Sequence, residues 1–285
     1  KPFTTHHNAL DMDLYLRIAP ELYLKRLIIG GFEKVYEINR NFRNEGISYR
    51  HNPEFTMLEF YQAFSDYNDL MILTQDMIRF VATRSIGTNK FSYRGNDISL
   101  DGEWEKISMI DAIKKYADLD VSYDMDLKAL KKIAGSRNIE IESSFGKGKI
   151  INEIFEKTVE SHLIQPVFIK DYPLEISPLA KKHPQNPELT ERFELFLGGE
   201  EIANAFSELI DPEDQVLRFK KQINSTDEEE RVSGKMDTDF IKALEYGMPP
   251  TGGEGIGIDR LVMIFTDSKS VRDVILFPLM RPEKD

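Results

Sequence analysis

The sequence predicts an α+β fold: an antiparallel β-sheet flanked by helices. Strand-like segments occur in two adjacent pairs, 35–64 and 192–208, and the second pair is joined by Gly198-Gly199, a two-residue hairpin signal. The helical segments between the pairs do not alternate one-for-one with strands, as the crossover helices of a parallel sheet would. No internal repeat or low-complexity tract interrupts this pattern.

In chain order, residues 20–29 read as a helix with Pro20 in its first turn and Gly30-Gly31 as its stop. Residues 35–45 read as a strand running into a polar loop, 46–53, and residues 54–64 as its antiparallel partner. Asp66 then caps a helix in which Leu70, Leu73, Met77, Ile78 and Val81 recur at helical spacing, ending near Gly87. Residues 90–165 read mostly as short helices, at 108–116, 127–134 and 150–162. We read them as an insertion, about 95–165, into one domain spanning 1–285 rather than as a separate core. Strand signals return at 167–170 and recur in the hairpin 192–197 and 200–208. A helix at 213–223 follows, then Asp227-Glu228-Glu229-Glu230, an acidic run expected in a solvated loop. The last unit, 252–265, is a glycine-spaced strand leading into an apolar helix.

Composition removes several classes of protein. With 41% hydrophobic and 30% charged residues, 13 Pro and 17 Gly, the 285-residue chain is neither disordered nor collagen-like. No run approaches eighteen apolar residues, so a membrane-spanning helix is not expected. Cysteine is absent, which excludes disulfides, thiolate nucleophiles and Cys-ligated zinc and fits a cytoplasmic location. Lys and Arg number 37 against 49 Asp and Glu, a net charge of −12. That balance argues against a general phosphate-backbone binder, and it suits a site that gathers Mg²⁺ or a cationic substrate. The chain starts without Met or a signal peptide and reads as a piece of a longer protein.

Three constellations carry chemistry. The first is Phe42-Arg43-Asn44-Glu45-Gly46, then Arg50-His51-Asn52-Pro53-Glu54-Phe55-Thr56-Met57-Leu58-Glu59. Alternation puts Arg43 with Glu45 on one face, and Phe55, Met57, Glu59 and Tyr61 together, leaving Thr56, Leu58 and Phe60 for the core. An arginine fork suits phosphate or carboxylate, an aromatic face suits a flat base, and Glu59 with Tyr61 suits an ammonium group. The second is the Gly-Gly hairpin, whose turn places Glu194 and Glu201 on one face. On spacing alone they read equally as exposed strand acids or as hard oxygen ligands for Mg²⁺. Strict alternation sends Asn204, Phe206 and Glu208 to the opposite face from Glu201, so all of them share one site only if a β-bulge lies between Glu201 and Asn204. The third is Gly252-Gly253-Glu254-Gly255-Ile256-Gly257-Ile258-Asp259-Arg260, where glycines permit close approach and Arg260 enters the first turn of the next helix. By itself this stretch reads best as a structural glycine strand.

Taken together, these residues resemble a known family. The stretch 42–59 is similar to motif 2, and Gly255-Ile256-Gly257-Ile258-Asp259-Arg260 to motif 3, of class II aminoacyl-tRNA synthetases. His6-His7-Asn8, Arg17-Ile18-Ala19-Pro20-Glu21-Leu22-Tyr23, Ile176-Ser177-Pro178-Leu179-Ala180-Lys181 and Glu191-Arg192-Phe193-Glu194-Leu195-Phe196 narrow the resemblance to the lysyl-tRNA synthetase branch. The resemblance implies a catalytic domain that follows the family's anticodon-binding barrel and motif 1, homodimeric in the full-length protein. It implies activation of lysine by ATP to lysyl-adenylate and transfer to tRNA(Lys), with Mg²⁺ as cofactor. It assigns Arg43 and Arg260 to catalysis, and Arg43, Glu45, His51, Phe55 and Arg260 to ATP. It assigns Glu21, Arg43, Glu59, Tyr61, Asn204, Phe206 and Glu208 to lysine, and Glu194 and Glu201 to the metal. A ligase attaching lysine to a translation elongation factor and a non-catalytic synthetase-like binding module are the alternatives.

Overall fold

The computed structural model describes residues 2–223 and 236–280, and the acidic run at 227–230 lies outside them. The first half contains β1 (Thr4–His7), β2 (Met12–Tyr15), α1 (Glu21–Ile29), β3 (Lys34–Phe42), β4 (Glu54–Ala63) and α2 (Tyr67–Ser85). Next come β5 (Lys90–Tyr93), β6 (Asn96–Ser99), β7 (Glu105–Ser108), α3 (Met109–Ala117), α4 (Leu127–Ser136) and α5 (Lys147–Thr158). The rest is β8 (Val167–Lys170), β9 (Arg192–Leu197), β10 (Glu200–Ser207), α6 (Pro212–Ile223), α7 (Thr238–Glu245), β11 (Thr251–Gly257) and α8 (Ile258–Phe265).

The fold is α+β. Seven strands pair in the order β3-β4-β11-β10-β9-β8-β7, antiparallel throughout except for the β7–β8 edge, and helices flank the sheet. The last strand in sequence, β11, enters between β4 and β10, so both hairpins are held by one central strand. Local chemistry explains the main elements. Asp66 accepts N–H bonds from Asn68 and Asp69 and completes a capping box that starts α2. Gly198 and Gly199, at φ 64° and 75°, turn β9 into β10 in the left-handed conformation such a turn demands. One apolar cluster joins α2 and α8 to the sheet, with Leu70, Ile78, Phe193, Ala205 and Ile256 in it. A second lies under α1 and α7, around Leu24, Ile28, Tyr61 and Phe240.

The structure departs from the sequence reading in four places. Residues 90–108, expected as short helices, form the β5–β6 hairpin and the edge strand β7. Arg94-Gly95, at φ 50° and 77°, is a second left-handed two-residue turn, and Lys90-Phe91-Ser92-Tyr93 alternates as a strand should. Helices α3, α4 and α5 build a buried cluster of their own, continuous with the sheet through Val167, Ile169 and Phe196. The strand expected over 35–45 stops at Phe42. The hairpin β1–β2 and helix α7 were not anticipated, since four-residue strands and an eight-residue helix carry little periodicity.

On the core face of β11, Glu254 is buried beneath α2 with Thr74 Oγ1 2.7 Å from each carboxylate oxygen. The same hydroxyl lies 2.7 Å from the Leu70 carbonyl and has one proton to give, so a protonated Glu254 supplies the other hydrogen. Burial pushes this carboxyl up from 4.5 to about 8. Between those values the unfolded chain has released a proton that the native state keeps, so stability falls as pH rises, by about 1.4 kcal/mol per unit from this group. We expect Glu254→Gln to flatten the pH dependence of stability between pH 5 and 8, measured by urea denaturation. Parallel curves for parent and variant would show that Glu254 does not titrate there.

Candidate active site

Gly253, Gly255 and Gly257 alternate along one face of β11 and leave it bare of side chains, while β4 and β10 rise on either side. The result is a cleft of about 230 Å³ lined by side chains from α1, the 43–57 segment, β4, β10 and α8.

One end of the cleft is cationic. Arg43 and Glu45 both line it, but strand alternation does not put them there, because β3 has ended. The Arg43 N–H donates to the Pro53 carbonyl at 2.9 Å and the Glu45 N–H to the Arg43 carbonyl at 2.9 Å, a tight loop that turns both residues inward. The Arg43 guanidinium stands 5.1 Å from the centre of the Phe55 ring. In the following loop, the N–H groups of Arg50 and His51 both donate to Ser48 Oγ at 3.1 Å. Arg260 Nη2 lies 3.3 Å from His51 Nε2, and His51 Nδ1 lies 2.8 Å from Ser48 Oγ. Burial and the Arg260 charge push His51 below its ordinary pKa, which keeps the imidazole neutral. Arg260 also donates to the Glu201 carbonyl at 2.8 Å and to its carboxylate at 3.1 Å. Asp259 accepts from the Thr56 N–H at 2.6 Å and ties the start of α8 to β4.

The bulge is present. β10 pairs Glu201 with Phe196 and then Ala203 with Leu195, so Ile202 has no opposite number. Glu194 therefore faces Asn204, where an uninterrupted register would have put Ala203. The extra residue brings Glu201, Asn204 and Phe206 to the same cleft. Arg192, two residues before Glu194 on β9, binds this face together: Nε donates to Asn204 Oδ1 at 3.0 Å and Nη2 to Glu194 Oε1 at 2.5 Å. Its guanidinium stacks 4.4 Å from the Tyr172 ring centre, and Tyr172 OH donates to Glu194 Oε2 at 2.8 Å.

Glu194 does not line the main cleft. It faces a side cavity of about 200 Å³ shared with Glu156, Glu160 and Glu201, and Glu201 belongs to both spaces. Burial, with Glu201 next, pushes Glu194 up to about 7. Among the described residues no three carboxylate or imidazole groups already surround a single point. Glu194 and Glu201 would suit a hard divalent cation as a two-carboxylate half-site, since a cation between them would relieve the Glu201 repulsion that adds to burial in raising Glu194.

The other end of the cleft is anionic. Glu21, Glu59, Tyr61 and Phe206 line it, and Tyr61 OH donates to Glu59 Oε1 at 2.6 Å. Burial and the nearby Glu21 push Glu59 up to about 7. Glu208 stands one layer deeper, fully buried, with Oε2 paired to the ammonium of Lys25. Its Oε1 has no hydrogen-bond partner among the described residues and points at Gly253, where a Cβ would clash with both that oxygen and the Tyr61 ring. Gly253 thus lets Glu208 and Tyr61 pack directly over β11 at this end of the cleft.

Sequence reasoning gave no role to Arg50, Glu200, Arg192 or Lys25. Glu200, fully buried, pairs with Arg50 at 2.8 Å and Arg94 at 2.9 Å and anchors the 46–53 loop to the β5–β6 hairpin. Arg192 was legible two residues before Glu194 on one strand face, and Lys25 four residues after Glu21 on one helix face. Nothing local marks Glu200.

A glycine-floored cleft on an antiparallel sheet, with an arginine before the second strand and another in the helix after the glycine strand, is the catalytic architecture of class II synthetases. The chain belongs to the class II tRNA synthetases (D, K and N), with residues 1–281 matched. Over its whole length it is 60% identical to a lysine–tRNA ligase of Pelotomaculum thermopropionicum and 55% identical to the heat-inducible lysine–tRNA ligase of Escherichia coli. It is 56% identical to the lysine–tRNA ligase of Moorella thermoacetica. The chain spans 56% of the first two relatives' length and 58% of the third's.

The close approach at Gly253 yields a prediction independent of activity. Gly253→Ala forces the new methyl against Glu208 and Tyr61, and overpacking of this kind costs about 1–3 kcal/mol. A fall of that size in urea-denaturation stability is expected, and unchanged stability would mean that the two side chains are free to withdraw.

Proposed function

We propose that this chain is the catalytic domain of a lysine–tRNA ligase. In this reading it activates lysine with ATP to give lysyl-adenylate and pyrophosphate, then passes the lysyl group to tRNA(Lys). The observation that carries the reading is the anionic end of the cleft. Two buried glutamates, Glu59 and Glu208, with Tyr61 between them, leave one carboxylate oxygen unpartnered beside Gly253. A buried acceptor without a partner is costly, and a substrate ammonium removes the cost. An acidic or amide side chain has no comparable partner there. The lysine–tRNA ligases that match the chain along its length support the same substrate.

The rest of the cleft fits the reaction. Arg43 holds the α-phosphate and the lysine carboxylate that attacks it, a position in which its fork strengthens as charge grows on the phosphate. Glu45 reads the adenine edge and Phe55 stacks the ring, while His51 and Arg260 hold the outer phosphates. Glu21 and Asn204 take the main-chain groups of lysine. Glu194 and Glu201 would hold Mg²⁺, which would supply neutralisation of the phosphate charge. No side chain serves as a nucleophile, so rate comes from positioning and electrostatics. The same reading places the protein in the cytoplasm as a homodimer. Among the described residues no helix is long and apolar enough to cross a membrane, and exposed Tyr23, Leu27, Phe32, Tyr36 and Ile38 on α1, the loop after it and the edge strand β3 supply an apolar flank for a second copy.

Amino-acid-dependent ATP–pyrophosphate exchange, with the protein at its full native length, tests the proposal. Lysine alone among the twenty amino acids is expected to support exchange, and equal activation of leucine would overturn the reading. Truncating one partner of a buried charge pair costs about 2–5 kcal/mol, so Glu208→Gln should raise the half-saturating lysine concentration by one to several orders of magnitude. For Arg43→Ala the loss falls on turnover, about 10²–10³-fold, with a much smaller change in ATP affinity. Unchanged turnover with weaker ATP binding would make Arg43 a ground-state contact instead.

A further inference from the structure

A lysine of the chain itself is buried against the lysine socket. Lys25, on the inner face of α1, is 1% exposed, and its ammonium pairs with Glu208 Oε2 and, at 2.6 Å, with Glu21 Oε1. The rings of Tyr61, Phe206 and Phe240 surround it, with centres 5.8, 5.4 and 6.0 Å away. Burial works against the charge, but Glu208 and Glu21 outweigh it, so Lys25 lies above the ordinary lysine pKa. It does not line the cleft: the lining residues at this end are Glu21, Glu59, Tyr61, Phe206 and Gly253, and Lys25 and Glu208 are buried against them.

This arrangement divides one carboxylate between two cations. Lys25 takes Oε2, and Oε1 is left without a partner against Gly253. Burial pushes the Glu208 carboxyl up, to about 8, and Lys25 opposes this by favouring the carboxylate. The other charged or titratable groups that face it are Glu21 on α1 and Glu59 and Tyr61 on β4, which add no positive charge. The contacts from α7 and β11 are Phe240 and Gly253.

We propose that Lys25 is a positioning residue for amino-acid specificity, a built-in counter-cation that favours the carboxylate form of Glu208 and leaves its other oxygen free beside Gly253. The inference rests on the reading that Glu208 receives the lysine ammonium. An ionised, half-satisfied carboxylate accepts an ammonium and rejects an apolar chain of equal length, because the apolar chain leaves that oxygen buried and unpaired. A neutral carboxylic acid discriminates far less.

The test compares lysine with norleucine, its uncharged near-isostere, in ATP–pyrophosphate exchange at full native length. For Lys25→Met the lysine KM is expected to rise about 10- to 100-fold, and the preference for lysine over norleucine to fall by a similar factor. Raising the pH should lower the lysine KM of this variant toward the parental value, because losing its proton restores the Glu208 carboxylate. Lys25 also lowers the Glu59 carboxyl, so the profile of the double variant with Glu208→Gln is needed to separate the two carboxyls. Lys25→Arg, which keeps a cation, should retain the preference. The double variant Lys25→Met, Glu208→Gln should behave as Glu208→Gln alone, and this comparison stands even if Lys25→Met by itself does not fold. Equal losses for lysine and norleucine, or added losses in the double variant, would overturn the proposal by showing a merely structural role. If Glu208→Gln keeps the parental lysine KM, the socket reading fails and takes this inference with it. If Glu208→Gln raises KM and Lys25→Met changes neither KM nor preference, the inference alone fails.

Discussion

The absence of side chains on one face of β11 is the constraint on which the site depends. Gly253, Gly255 and Gly257 leave a trough between β4 and β10, and the residues of the other face, Glu254 and Ile256, lock the strand to the core. A Cβ at Gly253 would strike Glu208 and Tyr61, and one at Gly255 would come within 2.8 Å of Met57 Cε. A single strand thus serves as the floor of a cleft and the centre of a sheet, because its period of two separates the jobs. The same arrangement explains why β11 comes last in sequence yet lies in the middle. It closes the gap between two hairpins that could each form locally beforehand.

The second constraint is one extra residue. Without the unpaired Ile202, β10 would send either Glu201 or Asn204 and Phe206 away from the cleft. The bulge lets the turn end of the hairpin supply acids near the cationic end while the body of the strand supplies the contacts further along. Arg192 then gives these parts a common support, since its one guanidinium bonds Asn204, Glu194, Ser177 and the Ile176 carbonyl. Fixing a planar five-donor group in this way costs less disorder per bond than several separate lysines would.

Much of this was legible in the sequence. The hairpin at Gly198-Gly199, the capped helix after Asp66 and the glycine strand follow from turn chemistry and periodicity, and the bulge follows from a conflict between two faces. The cleft gathers Glu21, Arg43, Glu45, His51, Phe55, Glu59, Tyr61, Glu201, Asn204, Phe206 and Arg260. What was not legible depends on contacts between distant segments. Glu200 beside Arg50 and Arg94, and Lys25 beside Glu208, are pairs separated by a hundred residues or more, and no local period marks them. Residues 90–108 were misread for a different reason. Strands of four residues are too short for alternation to stand out against the helical segments that follow.

Charge is sorted along the strands. Arg43 and Arg260 stand at the end where β4 begins, and Glu59 and Glu208 stand toward its other end. From Phe55 to Tyr61 an extended strand advances roughly 20 Å, room for a flat base, a phosphate and a long side chain laid end to end. A cleft polarised in this direction favours a ligand whose anionic and cationic groups are equally far apart, and it opposes the same ligand reversed. Lys25 fits this logic only because it does not line the cleft. A cation within the anionic end would compete with the ligand, whereas one buried against Glu208 favours the carboxylate that the ligand meets.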